Sequence, residues 1–169
     1  MRKKTPSQEM LLSAFAYEQR IGVLNWRRRI NVRPEWNTRF AGRAAGYRTK
    51  LGYVAINLDG QMYLAHVLIW KIVTGCEPVG DIDHKDGDGS NNKFDNLREA
   101  TRTQNMMNQK RWGKMPKGVR LHRPTGRYAA RIKLSGRDHS LGYFDTPEKA
   151  HAAYCAAAKE HFGDFARFE

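Results

Sequence analysis

The chain has 169 residues and carries 30 Lys and Arg against 17 Asp and Glu, a net charge of +13. This excess of positive charge predicts a polyanionic partner. No run of 18 apolar residues occurs, and no apolar stretch follows the first charges, which argues against membrane insertion and secretion. Cys76 and Cys155 do not form a C-x-x-C pair, so the sequence does not support a zinc ribbon or a disulfide framework. We therefore expect a cytoplasmic protein with no membrane association.

The positive charge is concentrated at the two ends of the chain. Residues 1–50 contain 12 basic and 3 acidic residues, residues 51–112 contain 7 and 8, and residues 113–169 contain 11 and 6. This distribution predicts basic lobes that hold a phosphate backbone on either side of an acidic, metal-competent centre. Within the first lobe, the run Arg27, Arg28 and Arg29 is consistent with phosphate contacts and equally with a solvated surface.

The first half of the chain predicts a helix, a small antiparallel sheet and a second helix. Asp59-Gly60 is a typical two-residue hairpin turn, and Gly75 is a typical residue to follow a helix. The predicted elements are, in chain order, a helix from Ser7 to about Gln19, a strand ending at Trp26, an irregular stretch over 31–50 with packing anchors at Trp36 and Phe40, strands over 54–58 and 62–65 in one sheet with Trp26, and a buried helix over 66–75.

A polar stretch from Asp83 onward has the residue types of a hydrolytic metal site. Two short strands flank a loop rich in Gly and Asn, and Thr101 with Gln104 predicts the capped start of a helix. The oxygens of Asp83 and Asn105 suit Mg²⁺ or Mn²⁺, and His84 is able to take a proton from an attacking water. The alternative is a polar turn with no chemistry, which Asp, Gly and Asn alone would favour.

The residues D-H-K-D-G-D-G-S-N-N-K-F-D-N-L-R and the following helix resemble the ββα-metal motif of HNH nucleases. The variant is that of the phage and intron homing branch, in which the last metal-binding histidine is an asparagine. The resemblance covers about residues 50–110. It implies that His84 is the general base, that Asp83 and Asn105 bind a divalent metal, and that Asn96 braces the loop and so orients the base.

The same resemblance singles out a second histidine, His66, at the start of the predicted helix. Members of the family often have a histidine at this point, so the resemblance implies that His66 faces the scissile phosphate. The alternative is a histidine that is hydrogen-bonded within the junction between strand and helix.

The last third of the chain predicts three short strands and a helix that begins at Pro147. Alternation along the middle strand places Arg127, Arg131 and Lys133 on one side of the sheet, and Arg120 and Arg123 come from the first strand and its turn. A sheet that presents Arg and Lys can enter the major groove of DNA. A solvated basic face is the alternative.

This region resembles the DNA-binding domain of the ethylene-response-factor type. The resemblance rests on G-V-R, Y-A-A-R-I and L-G-Y-F-D-T-P-E-K-A and covers about residues 117–168. It implies that the five basic residues of the sheet and its turn face double-stranded DNA. It also implies that the core is formed by Leu141, Phe144, Ala150 and Tyr154.

Together these inferences predict an α+β fold. A ββα-metal HNH core with an N-terminal helix and a small antiparallel sheet spans 1–112, with its catalytic motif at about 80–110. A three-stranded sheet packed on one helix spans 113–169, after a linker over 109–118. The predicted function is a metal-dependent, site-recognising DNA endonuclease that nicks or cuts duplex DNA. We expect a monomer or homodimer with no obligate protein partner, in the cytoplasm of an infected or host bacterial cell.

Two alternatives stay open for this function. One is a catalytically inert DNA-binding regulator that uses only the C-terminal sheet. The other is a protein that binds or cleaves RNA, which the basic charge alone allows. The predicted sheet disfavours RNA, because side chains do not easily read the deep, narrow major groove of A-form helices.

Overall fold

A computed structural model describes residues 4–108 and 115–168. The chain divides into two compact units, Met1–Ala100 and Thr101–Glu169. The predicted boundary between residues 112 and 113 lies outside the described residues, as does much of the predicted linker.

The first unit combines short helices with small antiparallel sheets. Its elements are α1 (Gln8–Ala14), β1 (Phe15–Glu18), β2 (Val23–Trp26), α2 (Pro34–Phe40), β3 (Tyr47–Arg48), β4 (Val54–Leu58), β5 (Gln61–Leu64), α3 (Ala65–Thr74), β6 (Asp81–His84) and β7 (Leu97–Ala100). β1 pairs with β2, β3–β4–β5 form one sheet, and β6 pairs with β7.

Helix α1 is shorter than the sequence predicts. It begins as expected, because the Ser7 Oγ accepts a hydrogen bond from the Met10 N–H at 3.2 Å. It ends at Ala14, where Phe15 becomes extended and pairs with Trp26. The predictions of a helix to Gln19 and of Trp26 in a three-stranded sheet are therefore wrong. Apolar side chains at two-residue spacing from Phe15 onward form a hairpin, which buries Phe15 and Trp26 against each other.

Helix α2 occupies part of the stretch predicted to be irregular. Pro34 and Glu35 lie in its first turn and Arg39 in its last, an order that suits the helix dipole. The prediction of irregular structure is wrong over these seven residues, because so short a helix has too few turns to show a helical period. Trp36 and Phe40 pack against the core, as predicted.

The β4–β5 hairpin and α3 confirm the local turn signals. Asp59 and Gly60 both have positive φ, at 51° and 81°, as a two-residue hairpin turn of this kind requires. Helix α3 ends at Gly75, which adopts the left-handed conformation. The helix buries Leu68 and Ile69 completely in the core of the first unit, and each such side chain contributes roughly 1.5–3 kcal/mol of burial free energy.

The second unit consists of α4 (Arg102–Asn108), β8 (Val119–His122), β9 (Arg127–Leu134), β10 (Arg137–Phe144) and α5 (Pro147–Phe162). The predicted capping box at the start of α4 is confirmed, because Thr101 and Gln104 exchange backbone–side-chain hydrogen bonds at 2.8 and 3.2 Å. The three strands form an antiparallel sheet in the order β10–β9–β8. Helix α5 packs on one face through fully buried Ala150 and Ala158, as predicted.

The fold class is thus mixed, with small antiparallel sheets and short helices. In the part of the chain that the structure describes, no helix is both long and apolar enough to span a membrane.

Candidate active site

The β6–β7 hairpin carries the Asp-His pair. Asp83 pairs with Arg98 and His84 with Leu97 in the antiparallel register. Neighbouring residues of a strand point to opposite faces, yet both side chains are enclosed, with Asp83 5 % and His84 4 % exposed. The hairpin therefore holds a carboxylate on one face and an imidazole on the other.

The carboxylate of Asp83 forms a cross-strand ion pair. The Arg98 Nε donates a hydrogen bond to the Asp83 Oδ2 at 2.9 Å, and the Arg98 Nη2 lies 2.9 Å from the same oxygen. Sequence reasoning missed Arg98, although the predicted strands place it opposite Asp83 once their register is known. A cation bound by Asp83 would share this carboxylate with the guanidinium.

The imidazole of His84 is oriented by a buried asparagine. Its Nε2 lies 3.0 Å from the Oδ1 of Asn92, a residue that is 2 % exposed. With the amide oxygen facing it, Nε2 is the donor in the neutral imidazole, so Nδ1 carries the lone pair that can accept a proton. Sequence reasoning missed Asn92, whose only signal is its place in the Asn-Asn dipeptide of the loop.

The loop between β6 and β7 is organised around Asn96. Its Nδ2 donates to the Asp86 Oδ1 at 2.9 Å and to the Asn91 carbonyl at 2.8 Å, and its Oδ1 accepts from the Asp86 N–H at 3.2 Å. Burial raises the pKa of Asp86, but hydrogen bonds from Asn91 and Asn96 outweigh this and lower the pKa overall. These are the contacts of a bracing residue. The effect of Asn96 on the base stays a prediction.

The N-terminal hairpin supports the loop from outside. The Tyr17 hydroxyl donates to the Asn92 carbonyl at 3.0 Å and accepts from the Phe94 N–H at 2.9 Å. Gly22 packs so closely that a Cβ there would lie 2.4 Å from the Lys93 nitrogen. The hairpin thereby fixes the backbone of the loop segment that carries Asn92. No sequence signal joins residues about 75 positions apart.

Replacing Tyr17 with Phe is expected to destabilise the first unit by about 1–3 kcal/mol, because the Asn92 carbonyl and the Phe94 N–H both lose a partner. Urea unfolding measures the change. Tyr47→Phe is the matched control, because that hydroxyl belongs to an exposed side chain. Equal midpoints for Tyr17→Phe and the wild type would show that the loop does not depend on this bridge.

A second histidine lies against the first. The rings of His66 and His84 meet edge to face at 4.9 Å, and Tyr53 lies 5.7 and 6.0 Å from them. Burial, and then the charge of His84, lower the pKa of His66 to about 3. The His66 imidazole is therefore uncharged at pH 7. Its buried Nδ1 has no hydrogen-bond partner among the described residues, unlike a histidine hydrogen-bonded within the strand–helix junction. That His66 faces a scissile phosphate stays a prediction.

The two residues predicted to bind the metal, Asp83 and Asn105, carry the oxygen ligands that a hard divalent cation prefers. Carboxylate and carboxamide oxygens suit Mg²⁺ or Mn²⁺. Within residues 4–108 and 115–168, no three His, Cys, Asp or Glu side chains cluster as a complete metal site. Asn105 lies on α4, which falls within the second unit, and its place relative to Asp83 stays a prediction.

The three N-terminal arginines have different environments. The Arg29 guanidinium pairs with Asp59 at 2.7 Å and lies over the rings of Trp26 and Trp36. Arg27 is exposed and donates through Nε to a backbone carbonyl at 2.9 Å, and Arg28 is exposed. Arg29 is thus held by protein groups, and phosphate contact by this run stays a prediction.

The open face of the second unit's sheet is basic. Register places Arg120 beside Ala129, Arg131 beside Ser140 and Lys133 beside Asp138, on the face opposite the apolar residues that contact α5. The three cations are exposed.

Two further predicted DNA-binding residues flank this face. The Arg127 Nε pairs with Asp145 at 3.2 Å, and its Nη2 donates to the Tyr143 carbonyl at 2.9 Å. Arg123 is exposed in the β8–β9 turn. The five predicted basic side chains thus lie on or beside the open face of the sheet. Their contact with DNA stays a prediction.

Residues 63–107 match a family model described as HNH endonuclease. No curated protein and no solved structure matches the chain. The matched segment includes both site histidines, Asp83, Asn92 and Asn96, but not Tyr17. The match supports an HNH nuclease, a class that generally uses a divalent metal and acts on DNA.

Proposed function

We propose that the protein is a metal-dependent DNA endonuclease of the phage homing type, which hydrolyses phosphodiester bonds in duplex DNA at preferred sites. One observation carries the proposal. The buried imidazole of His84, oriented by Asn92, follows Asp83 directly on a strand inside the segment that matches HNH endonucleases. An oriented base on the residue that follows a hard-oxygen ligand supplies the two groups that metal-assisted hydrolysis uses.

In this mechanism His84 takes a proton from the attacking water through Nδ1. The hydrogen bond between Nε2 and Asn92 keeps the imidazole in the required tautomer. Asp83 would offer a carboxylate oxygen to the divalent metal, Mg²⁺ or Mn²⁺, and Asn105 stays the second ligand predicted from the sequence. When bound, such a cation neutralises charge on the scissile phosphate and on the leaving oxygen.

Two further residues keep the base in place. His66, neutral because it is buried, packs edge to face on His84 and restricts rotation of its ring. Asn96 holds the loop to Asp86 and Asn91, and so fixes the approach to the strand end that carries His84. We assign positioning roles to both.

Target choice is assigned to the second unit. Its open sheet face presents Arg120, Arg131 and Lys133, and its sheet packed on one helix has the architecture expected from the ethylene-response-factor resemblance. An antiparallel sheet is able to enter the major groove, where Arg pairs with the edge of guanine. We assign phosphate contacts to Arg123 and Arg127 beside this face and to the exposed Arg27 and Arg28 of the N-terminal arginine run.

Replacing both Arg131 and Lys133 with Ala is expected to weaken duplex binding. Loss of Arg131, if it contacts a base, accounts for about 1–3 kcal/mol of binding free energy. The slope of log K against log salt should also fall by about 0.9 for each phosphate that the variant no longer neutralises. Salt titrations of binding measure both effects. Lys149→Ala/Lys159→Ala on α5 removes the same charge from the other side of the unit and should change affinity less. Equal losses of affinity for the two double variants would mean that the sheet face has no special role.

The experiment that tests the proposed activity uses a labelled DNA duplex and an RNA duplex of the same sequence. We expect cleavage of DNA in Mg²⁺ or Mn²⁺, none in EDTA, and none of RNA. Cleavage that persists in EDTA would contradict the metal requirement, and metal-dependent cleavage of RNA alone would contradict the substrate.

The inert regulator stays the second candidate, because the Asp83 carboxylate already pairs with Arg98. A guanidinium in that place competes with a cation for the carboxylate. Tight duplex binding without cleavage in any divalent metal would favour this candidate.

A further inference from the structure

The first unit contains an aromatic pocket away from the Asp-His hairpin. It has a volume of about 450 Å³ and opens to solvent, a size within the usual range for small-ligand sites. Its aromatic lining consists of Trp26, Trp36, Phe40 and Tyr47. The elements that form it are β2, α2, β3 and the β4–β5 turn.

The walls of the pocket are held rigidly. Trp36 meets Trp26 edge to face at 5.0 Å and Phe40 at 5.1 Å. The Arg29 guanidinium lies 5.6 Å from the Trp36 ring centre and is anchored by Asp59. Because these side chains hold one another in place, the lining is ordered by the protein itself, which lowers the entropic cost of binding.

The rim combines an exposed ring with polar groups. Tyr47 is 60 % exposed and pairs through its backbone with Ala55 at the edge of the sheet. Asn57 is exposed, and its Oδ1 accepts from the Gly60 N–H, which orients the amide. The Nδ2 of such an amide can donate to the edge of a nucleobase. An exposed aromatic ring beside a fixed carboxamide suits a flat ligand with hydrogen-bonding edges.

The chain segment that forms most of the pocket is strongly basic, which favours a site on a polyanion such as DNA. The segment that forms most of it, residues 27–48, carries seven arginines and one acidic residue. The residue after Tyr47, Arg48, reaches Asp88 in the loop that follows His84, at 3.7 Å. Strand β3 therefore connects the rim of the pocket with the loop of the Asp-His hairpin inside one unit.

We propose that this pocket binds an unstacked nucleobase of the DNA, with the base stacked on Tyr47. Flat π-faces next to cations are the features by which proteins hold single unpaired bases, and a base displaced from a distorted duplex offers such a face. The inference rests on the proposed function in taking DNA as the ligand. It adds a site that reads a displaced base, separate from both the catalytic hairpin and the basic sheet.

The test compares two DNA duplexes that differ at one position. One carries a single unpaired adenosine, and the other carries an abasic nucleotide at the same place. Binding is measured in EDTA, so that cleavage plays no part. We expect the wild type to prefer the bulged adenosine by about tenfold, the order of magnitude of one base–aromatic stack.

Three variants assign the preference to the pocket. Tyr47→Ala is expected to lose the preference, and Tyr47→Phe to keep it, because the phenyl ring retains the stacking face. Leu51→Ala is the matched control, since this exposed side chain lies four residues after Tyr47 and outside the pocket lining. A Tyr47→Ala variant that keeps the full preference, or a wild type that shows none, would overturn the inference.

The result is distinguishable from failure of the proposed function. His84→Ala should keep the adenosine preference while losing cleavage, and Tyr47→Ala should still cleave a duplex without a bulge. If the wild type prefers the bulged adenosine but cleaves no DNA in any divalent metal, the pocket proposal holds and the nuclease proposal fails. If the wild type cleaves DNA but binds the adenosine and abasic duplexes equally, the nuclease proposal holds and the pocket proposal fails.

Discussion

Replacing His84 with Ala is expected to lower the rate of phosphodiester cleavage by about 10²–10⁴-fold, the usual contribution of a general base. His84 is the imidazole held by Asn92 next to Asp83, and no alanine can take a proton from water. Affinity for the duplex should be unchanged, because the buried imidazole is not among the cations proposed to hold the backbone. Single-turnover cleavage measures the rate, and binding in EDTA measures the affinity.

The controls separate chemistry from folding. His161→Ala replaces an exposed histidine on α5 and should cleave at the wild-type rate. Circular dichroism checks that His84→Ala retains its structure, since the substitution leaves the buried Asn92 Oδ1 without the imidazole. A properly folded His84→Ala variant that cleaves within a few-fold of the wild type would remove His84 from the role of base.

Replacing Arg98 with Ala is expected to destabilise the first unit by about 3–5 kcal/mol, the cost of leaving one buried charge without its partner. The side chains of Arg98 and Asp83 are only 13 % and 5 % exposed, so bulk water screens their charges little in the folded chain. Urea unfolding followed by tryptophan fluorescence measures this change, because Trp26, Trp36 and Trp70 lie in this unit.

Arg127→Ala is the matched control, because it breaks the Arg127–Asp145 pair, whose side chains are 49 % and 73 % exposed. An exposed pair contributes about 0–1 kcal/mol, so this variant should lose little stability. The double variant Asp83→Asn/Arg98→Met removes both buried charges and should recover much of the stability that Arg98→Ala loses. If Arg98→Ala and Arg127→Ala lower the free energy of unfolding equally, the buried Arg98–Asp83 pair contributes no more stability than an exposed pair.

The sequence predicts best those features that depend on a few adjacent residues. The positive φ values at Asp59 and Gly60, the capping box of Thr101 and Gln104, and the end of α3 at Gly75 each follow from local chemistry. The Asp-His strand and its partner strand follow from alternation and the glycine-rich loop between them. Local signals of this kind do not depend on where the rest of the chain packs.

Features that depend on distant contacts could not be predicted. Phe15 fits a helical stripe as well as a strand, and its pairing with Trp26 decides between them. Asn92 acquires its place in the site through His84, and Tyr17 supports the loop only because the N-terminal hairpin packs against it. In each case tertiary packing selects between local structures of similar propensity.

The most direct test of the proposed nuclease is conversion of supercoiled plasmid DNA in Mg²⁺ by the wild-type chain, with His84→Ala beside it. We expect open-circular or linear product from the wild type and none from the variant. The form of the product distinguishes nicking from cutting of both strands. Equal conversion by both proteins would contradict the role of His84. No conversion of several DNAs, together with tight, salt-sensitive duplex binding, would contradict the nuclease itself.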